Sequence, residues 1–129
     1  MQLSNIPQHL KPSFYNLLIV EDNLLIGEKI VKAAKEVSAI KEIRLTASLQ
    51  DAISFLNETK VEIVTLDLSL PDGNGIELLK WFKENKIETK VFVFSTSKEL
   101  KQICLRYGAS AFFDKAKDFD ELIETIKKA

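Results

Sequence analysis

The chain has 129 residues, 46% of them apolar, which is enough to bury one core without a disulfide or metal staple and too little for a two-domain enzyme. Lys and Arg number 18 and Asp and Glu 19, a net charge of −1, so the basic excess used against nucleic-acid backbones is missing and no direct nucleic-acid binding is expected. One cysteine, Cys104, no secretory start and no apolar run near the roughly 20 residues that span a bilayer predict a cytoplasmic protein with no membrane segment.

Residues 1–13 read as a polar N-terminal arm that contains His9, and 14–129 as a single domain. Five strands are predicted in chain order: Leu17–Val20, Ile43–Thr46, Ile63–Leu66, Val91–Phe94 and Ala111–Phe113. Segments of helical periodicity separate them, and several strands are apolar on both faces. That is the pattern of βαβ units building a mostly parallel sheet between helices, an α/β class.

Ser48-x-x-Asp51, Thr96-x-x-Glu99 and Asp118-x-x-Glu121 resemble helix-capping boxes. Leu100, Ile103, Cys104 and Tyr107 form one apolar helical stripe, with Cys104 an inert core thiol, and Leu122, Ile123 and Ile126 form another. Pro71-Asp72-Gly73-Asn74-Gly75 reads as a turn, Gly108 as a helix stop, and Trp81 as packing at a helix–sheet boundary.

Ligands of open α/β sheets bind where the strands end at their carboxyl side. The polar residues at those ends are Glu21 and Asp22, Asp67, Ser95 and Thr96, and Lys115. Asp67 interrupts the run Ile63-Val64-Thr65-Leu66-Asp67-Leu68, where a carboxylate is costly. Three carboxylates in one crevice repel one another unless a cation sits among them, and an all-oxygen set with no His or Cys nearby suits Mg2+. Such a site suggests phosphoryl transfer, with Asp67 as nucleophile, Mg2+ and Lys115 on the phosphoryl oxygens and Ser95 donating a hydrogen bond.

As an ordered set, Glu21-Asp22, LDLSLPDGNG around Asp67, Ser95 and GASAFFDK ending at Lys115 resemble the receiver domain of bacterial two-component response regulators, over about residues 15–129. The resemblance implies a flavodoxin-like, doubly wound, five-stranded parallel sheet of order 2-1-3-4-5 with helices on both faces. It implies phosphoryl transfer to Asp67 from a sensor histidine kinase or phosphotransfer protein, with Mg2+ held by Glu21, Asp22, Asp67 and the backbone carbonyl of Ser69. It also implies a switch in which Ser95 and the aromatic Phe112 move after phosphorylation. The face of the fourth helix, fifth strand and fifth helix, here including Lys98, Lys101 and Phe112, is then expected to meet a downstream partner, an output domain or a second copy of the chain. The resemblance implies a signalling receiver and not a separate enzyme, one that catalyses its own phosphorylation and slow dephosphorylation.

The sequence departs from the family pattern at three positions. Ala116 follows Lys115 where the family often has a cis-proline. A cis bond before Ala costs about 2.5 to 4 kcal/mol, so a trans bond is expected. Thr96 replaces a commonly smaller residue and is expected to narrow access to the site, and Phe112 lacks the hydroxyl of the commoner Tyr. Two alternatives carry less weight. A Mg-dependent aspartyl phosphohydrolase wants a second Asp at the place of Ser69, and a degenerate, unphosphorylated interaction module would not need the full set of acidic and lysine positions. The chain reads either as a stand-alone receiver or as the receiver piece of a longer regulator.

Overall fold

The computed structural model describes residues 14–129; the arm and His9 lie outside them. In chain order the elements are β1 (Tyr15–Val20), α1 (Leu24–Ala34), β2 (Ile40–Thr46), α2 (Leu49–Glu58) and β3 (Ile63–Leu66). A hairpin, β4 (Ser69–Leu70) and β5 (Gly73–Asn74), leads to α3 (Ile76–Glu84) and β6 (Lys90–Ser95). A 3-10 turn (Lys98–Leu100) opens α4 (Lys101–Arg106), followed by β7 (Ala111–Asp114) and α5 (Phe119–Lys128).

Five parallel strands pair in the order β2-β1-β3-β6-β7, which is the expected 2-1-3-4-5 once the hairpin strands are set aside. The turn predicted over Pro71–Gly75 is part of that antiparallel hairpin, pairing Ser69 with Asn74 and Leu70 with Gly73. Two-residue strands leave no periodicity to read. The outer strand β2 starts three residues before its predicted first residue, because only one of its faces is packed and its apolar residues alternate with exposed Lys41, Glu42 and Arg44.

The pleat sends alternate side chains to two separate cores. Leu17, Ile19, Ile63, Phe92 and Phe94 pack with Ile30, Leu122, Ile123 and Ile126 of α1 and α5. Leu18, Val20, Val64, Leu66, Val91 and Val93 pack with residues of α2, α3 and α4, among them Ala52, Leu79, Phe82 and Cys104. Leu18, Ile19, Val20, Val64, Leu66 and Val93 are each 0% exposed, which explains why the central strands read as continuous apolar runs. Trp81 packs half-buried against the second core, edge-on to Phe82 at 5.5 Å.

Of the three capping boxes, only Ser48 caps as expected, its hydroxyl accepting from the amide of Asp51 at 3.1 Å. Asp118 stands at the N-cap of α5, but its carboxylate turns back to the amide of Asp114. Thr96 caps nothing, because Ser95 Oγ takes the nearby amide of Ser97 at 3.0 Å and the helix opens with the 3-10 turn. The predicted α4 stripe is narrower than expected: Cys104 is fully buried and Leu100 and Tyr107 half-buried, whereas Ile103, on the flank of that face, is exposed. Gly108 follows α4 at φ +101°, a conformation that favours glycine and stops the helix.

Candidate functional site

The sheet ladder runs on past the formal strand ends, and these extra bonds seat the polar residues. Glu21 N donates to Thr46 O at 2.9 Å, Asp67 N to Val20 O at 2.9 Å and Lys115 N to Ser95 O at 3.0 Å. By the pleat, Glu21, Asp67 and Lys115 continue the rows of Ile19, Thr65 and Phe113 on the α1/α5 side. Their side chains meet there. Lys115 Nζ lies 2.8 Å from Glu21 Oε1, 3.0 Å from Glu21 Oε2 and 3.2 Å from Asp67 Oδ1.

Carboxylate oxygens of Glu21, Asp22 and Asp67 all lie within 4.8 Å of one another. Glu21 and Asp67 are buried, at 3% and 5% exposure, while Asp22 is open to solvent. Asn23, not Asp22, caps α1, its side chain accepting from Ile26 N at 3.1 Å, so Asp22 is left free of a structural duty there. Burial pushes the Glu21 carboxyl from 4.5 up to about 7, against the hydrogen bond from Lys115 and with the negative charge of Asp67 pushing the same way. Three carboxylates share one lysine here, so acidic groups outnumber the cation in the crevice. Its hard oxygen donors and surplus negative charge are those a divalent cation such as Mg2+ would take.

The loop after Asp67 is fixed by close packing. Gly75 N donates to Leu68 O at 2.8 Å, and a Cβ on Gly75 would collide with the carbonyl oxygen of Asp67, so only glycine lets the hairpin fold back beneath the site. Ser69 N donates to Asp67 Oδ1 at 3.2 Å, orienting the carboxylate, and the Ser69 side chain is exposed. Asp72 reaches across to α2, its two oxygens accepting from Leu49 N and Gln50 N at 2.8 and 2.9 Å. Those bonds hold its carboxyl below the usual range.

Ser95 and Phe112 belong to the other side of the sheet. Ser95 is buried in the row of Val91 and Val93, and Phe112 packs half-buried against the α2–α4 core opposite Val93. Thr96 is exposed. Among the described residues no peptide is cis, so the Lys115–Ala116 bond is trans as expected. At this end the sequence reads Asp72 only as part of a turn and not as the cap of α2, and it does not single out Asp114. Asp114 ends the run Ala111–Phe113 just as Asp67 ends its own, and the same rule that marked Asp67 could have found it. No helix among the described residues is long and apolar enough to cross a membrane.

The profile of the response regulator receiver domain matches residues 17–127. The transcriptional regulatory protein MalR of Bacillus subtilis is 32% identical over 107 residues, covering 81% of this chain and 46% of MalR. The polar-differentiation response regulator DivK of Brucella ovis is 28% identical over 116 residues, 87% of this chain and 93% of DivK. The chain thus spans about half the length of MalR and of several other curated relatives, and nearly all of DivK. Among solved structures, the receiver domain of the Francisella response regulator 1452 superposes with a TM-score of 0.80 at 25% identity, covering 88% of this chain and 94% of that one. With the sheet order, the acidic crevice and these matches in agreement, the chain belongs to the response regulator receiver domain family of two-component systems.

Proposed function

We propose that this receiver accepts a phosphoryl group on Asp67, in a Mg2+-dependent reaction, from a phosphohistidine on a sensor kinase or phosphotransfer protein. The observation that carries the reading is the convergence of three carboxylates within 4.8 Å with the ammonium of Lys115 lodged between Glu21 and Asp67. A carboxylate oxygen of Asp67 attacks phosphorus, the P–N bond of the donor breaks, and the imidazole leaves with the electron pair and takes a proton. The product is an acyl phosphate on Asp67.

Glu21, Asp22 and Asp67, with the carbonyl of Ser69, would hold Mg2+, which supplies charge neutralisation for the phosphoryl oxygens. Asp67 is oriented for attack by the Ser69 amide and by Lys115. Lys115, already in contact with Asp67, is the cation that pairs with the new phosphoryl group. Ser95 Oγ carries a hydroxyl proton to offer that group. Its departure from the Ser97 amide would loosen the start of α4 and open space for Phe112, altering the α4–β7–α5 face. That face is the proposed contact with a downstream partner, an output domain or a second copy, and the setting is the cytoplasm.

The test is intact-mass measurement after incubation with acetyl phosphate, with and without Mg2+. Wild type is expected to gain one phosphoryl group only with Mg2+, and Asp67→Asn none. Equal labelling of Asp67→Asn would remove Asp67 from the role, and Mg2+-independent labelling would remove the metal.

A further inference from the structure

Asp114 is a buried carboxylate that the phosphoacceptor chemistry does not use. It is 6% exposed, ends β7 and is the register partner of Ser95. An unpaired acid there would be costly, and its partners show what it holds. Asp114 Oδ1 accepts from Ala116 N at 2.8 Å. Its own amide donates to Asp118 Oδ2 at 2.9 Å, and its carbonyl accepts from Asp118 N at 2.8 Å and Lys117 N at 3.2 Å. The segment 114–118 is therefore closed on Asp114 from both ends, with Lys115 inside it.

The remaining oxygen, Oδ2, faces Lys98 Nζ at 3.3 Å, an ion pair without the alignment of a hydrogen bond. Lys98 opens the 3-10 turn three residues after Ser95, and its own amide donates to Thr96 O at 3.0 Å. One carboxylate thus touches both the loop that carries Lys115 and the loop that carries Ser95. The amide of Ala116, first, and Lys98 hold the Asp114 carboxyl below its usual range, consistent with an ionised anchor. A proline at position 116 would offer no N–H, so this bond exists because the chain has Ala116 there.

We propose that Asp114 is a positioning residue for Lys115. By fixing the Ala116 amide it sets the backbone from which the Lys115 ammonium reaches Glu21 and Asp67, and through Lys98 it ties that backbone to the Ser95 loop. A lysine side chain has four rotatable bonds and loses much entropy when fixed, so a rigid base is what keeps its tip in the crevice. The consequence for phosphorylation rests on the reading of Asp67 as phosphoacceptor; the placement of Lys115 does not.

The test reads Lys115 directly. In protein carrying 13C-labelled lysine, the Cε–Hε cross-peak of Lys115 is identified by its loss in Lys115→Arg. In Asp114→Ala this peak is expected to move toward those of exposed lysines, while Lys29, held over the Phe119 ring at 4.1 Å, keeps its position. Asp114→Asn retains an acceptor for the Ala116 amide and is expected to hold Lys115 in place. With acetyl phosphate and Mg2+, labelling is expected to slow about tenfold in Asp114→Ala and to recover in Asp114→Asn, as for a modest displacement of a positioned group.

A Lys115 peak unmoved by Asp114→Ala, or moved equally by both substitutions, overturns the proposal. A wild type that never labels while Lys115 responds as described overturns the phosphoacceptor reading and upholds the positioning role. Should Asp114→Ala fail to fold, amide exchange in the wild type decides. Ala116 is exposed, so slow exchange of its N–H upholds the bond to Asp114, and exchange at the rate of a free peptide overturns it.

Discussion

The two sides of the sheet are built differently. On one side α1 and α5, of eleven and ten residues, each seat three buried residues. They flank the row that ends in Glu21, Asp67 and Lys115. On the other side, α4 has six residues and one buried side chain, Cys104, and starts from a 3-10 turn with no side-chain cap. Ser95 and Phe112 face this side, where α3 seats four buried residues and α4 is the weakly anchored element. In the proposed mechanism the crevice needs side chains held in fixed positions, and the proposed switch needs an element that moves at low cost. The pleat of one sheet separates these demands, because neighbours in sequence such as Phe112 and Phe113 point to opposite sides.

The largest expected effect breaks the chemical side alone. Asp67→Asn is expected to abolish labelling while raising stability by about 1 kcal/mol, because it removes a charge that repels Glu21. Mass spectrometry and a thermal melt check both. Lys115→Ala acts in the opposite direction on stability. It strands two buried carboxylates without their cation and is expected to cost about 3 kcal/mol. Added Mg2+ should raise the melting temperature of Lys115→Ala more than that of wild type, since no ammonium then competes for the crevice. An equal shift in both would separate the lysine from the proposed metal site.

The weak anchoring of α4 is tested by opening rates. Backbone amides of α4 are expected to exchange about tenfold or more faster than those of α5, measured by hydrogen exchange. Cys104 is fully buried, and burial pushes its thiol up, so it should react with a disulfide reagent only through such openings. Reaction as fast as a free thiol, or equal protection of α4 and α5, would erase the contrast.

The central strands and their terminal residues were legible because burial on two faces leaves only apolar residues, and any polar interruption stands out. Asp67 was found that way. What escaped depends on partners distant in sequence or on competition between close ones. Asp72 reads as a turn residue, yet its carboxylate caps α2 from 23 residues away. Asp118 and Thr96 have capping spacing, but Asp114 offers Asp118 a backbone amide and Ser95 takes the amide beside Thr96. Ile103 follows helical spacing but lies on the flank of a six-residue helix whose buried face reaches only Cys104.

Asp72 gives a pH test confined to the α2–α4 side. Its folded carboxyl is held below the unfolded value, so its contribution is complete above about pH 4, where an unfolded aspartate ionises. It fades as pH falls through the folded value. Asp72→Asn should therefore melt a few degrees below wild type at neutral pH, and the two melting curves should converge in acid. A gap that persists in acid would mean that the cap does not depend on the charge.

The smallest expected effect is at Lys86, just beyond α3 on the same side. It sits at φ +53°, where a side chain crowds its own backbone, and its neighbour Ile87 N closes the helix by donating to Phe82 O at 3.0 Å. Glycine relieves that crowding, though its freer unfolded state offsets part of the gain, so Lys86→Gly is expected to stabilise by about 0.5 kcal/mol. The gain belongs to the end of α3 and should leave amide exchange within α4 unchanged. If α4 slowed in step with α3, the two helices would open as one unit, and the mobility assigned to α4 would belong to the whole side of the sheet.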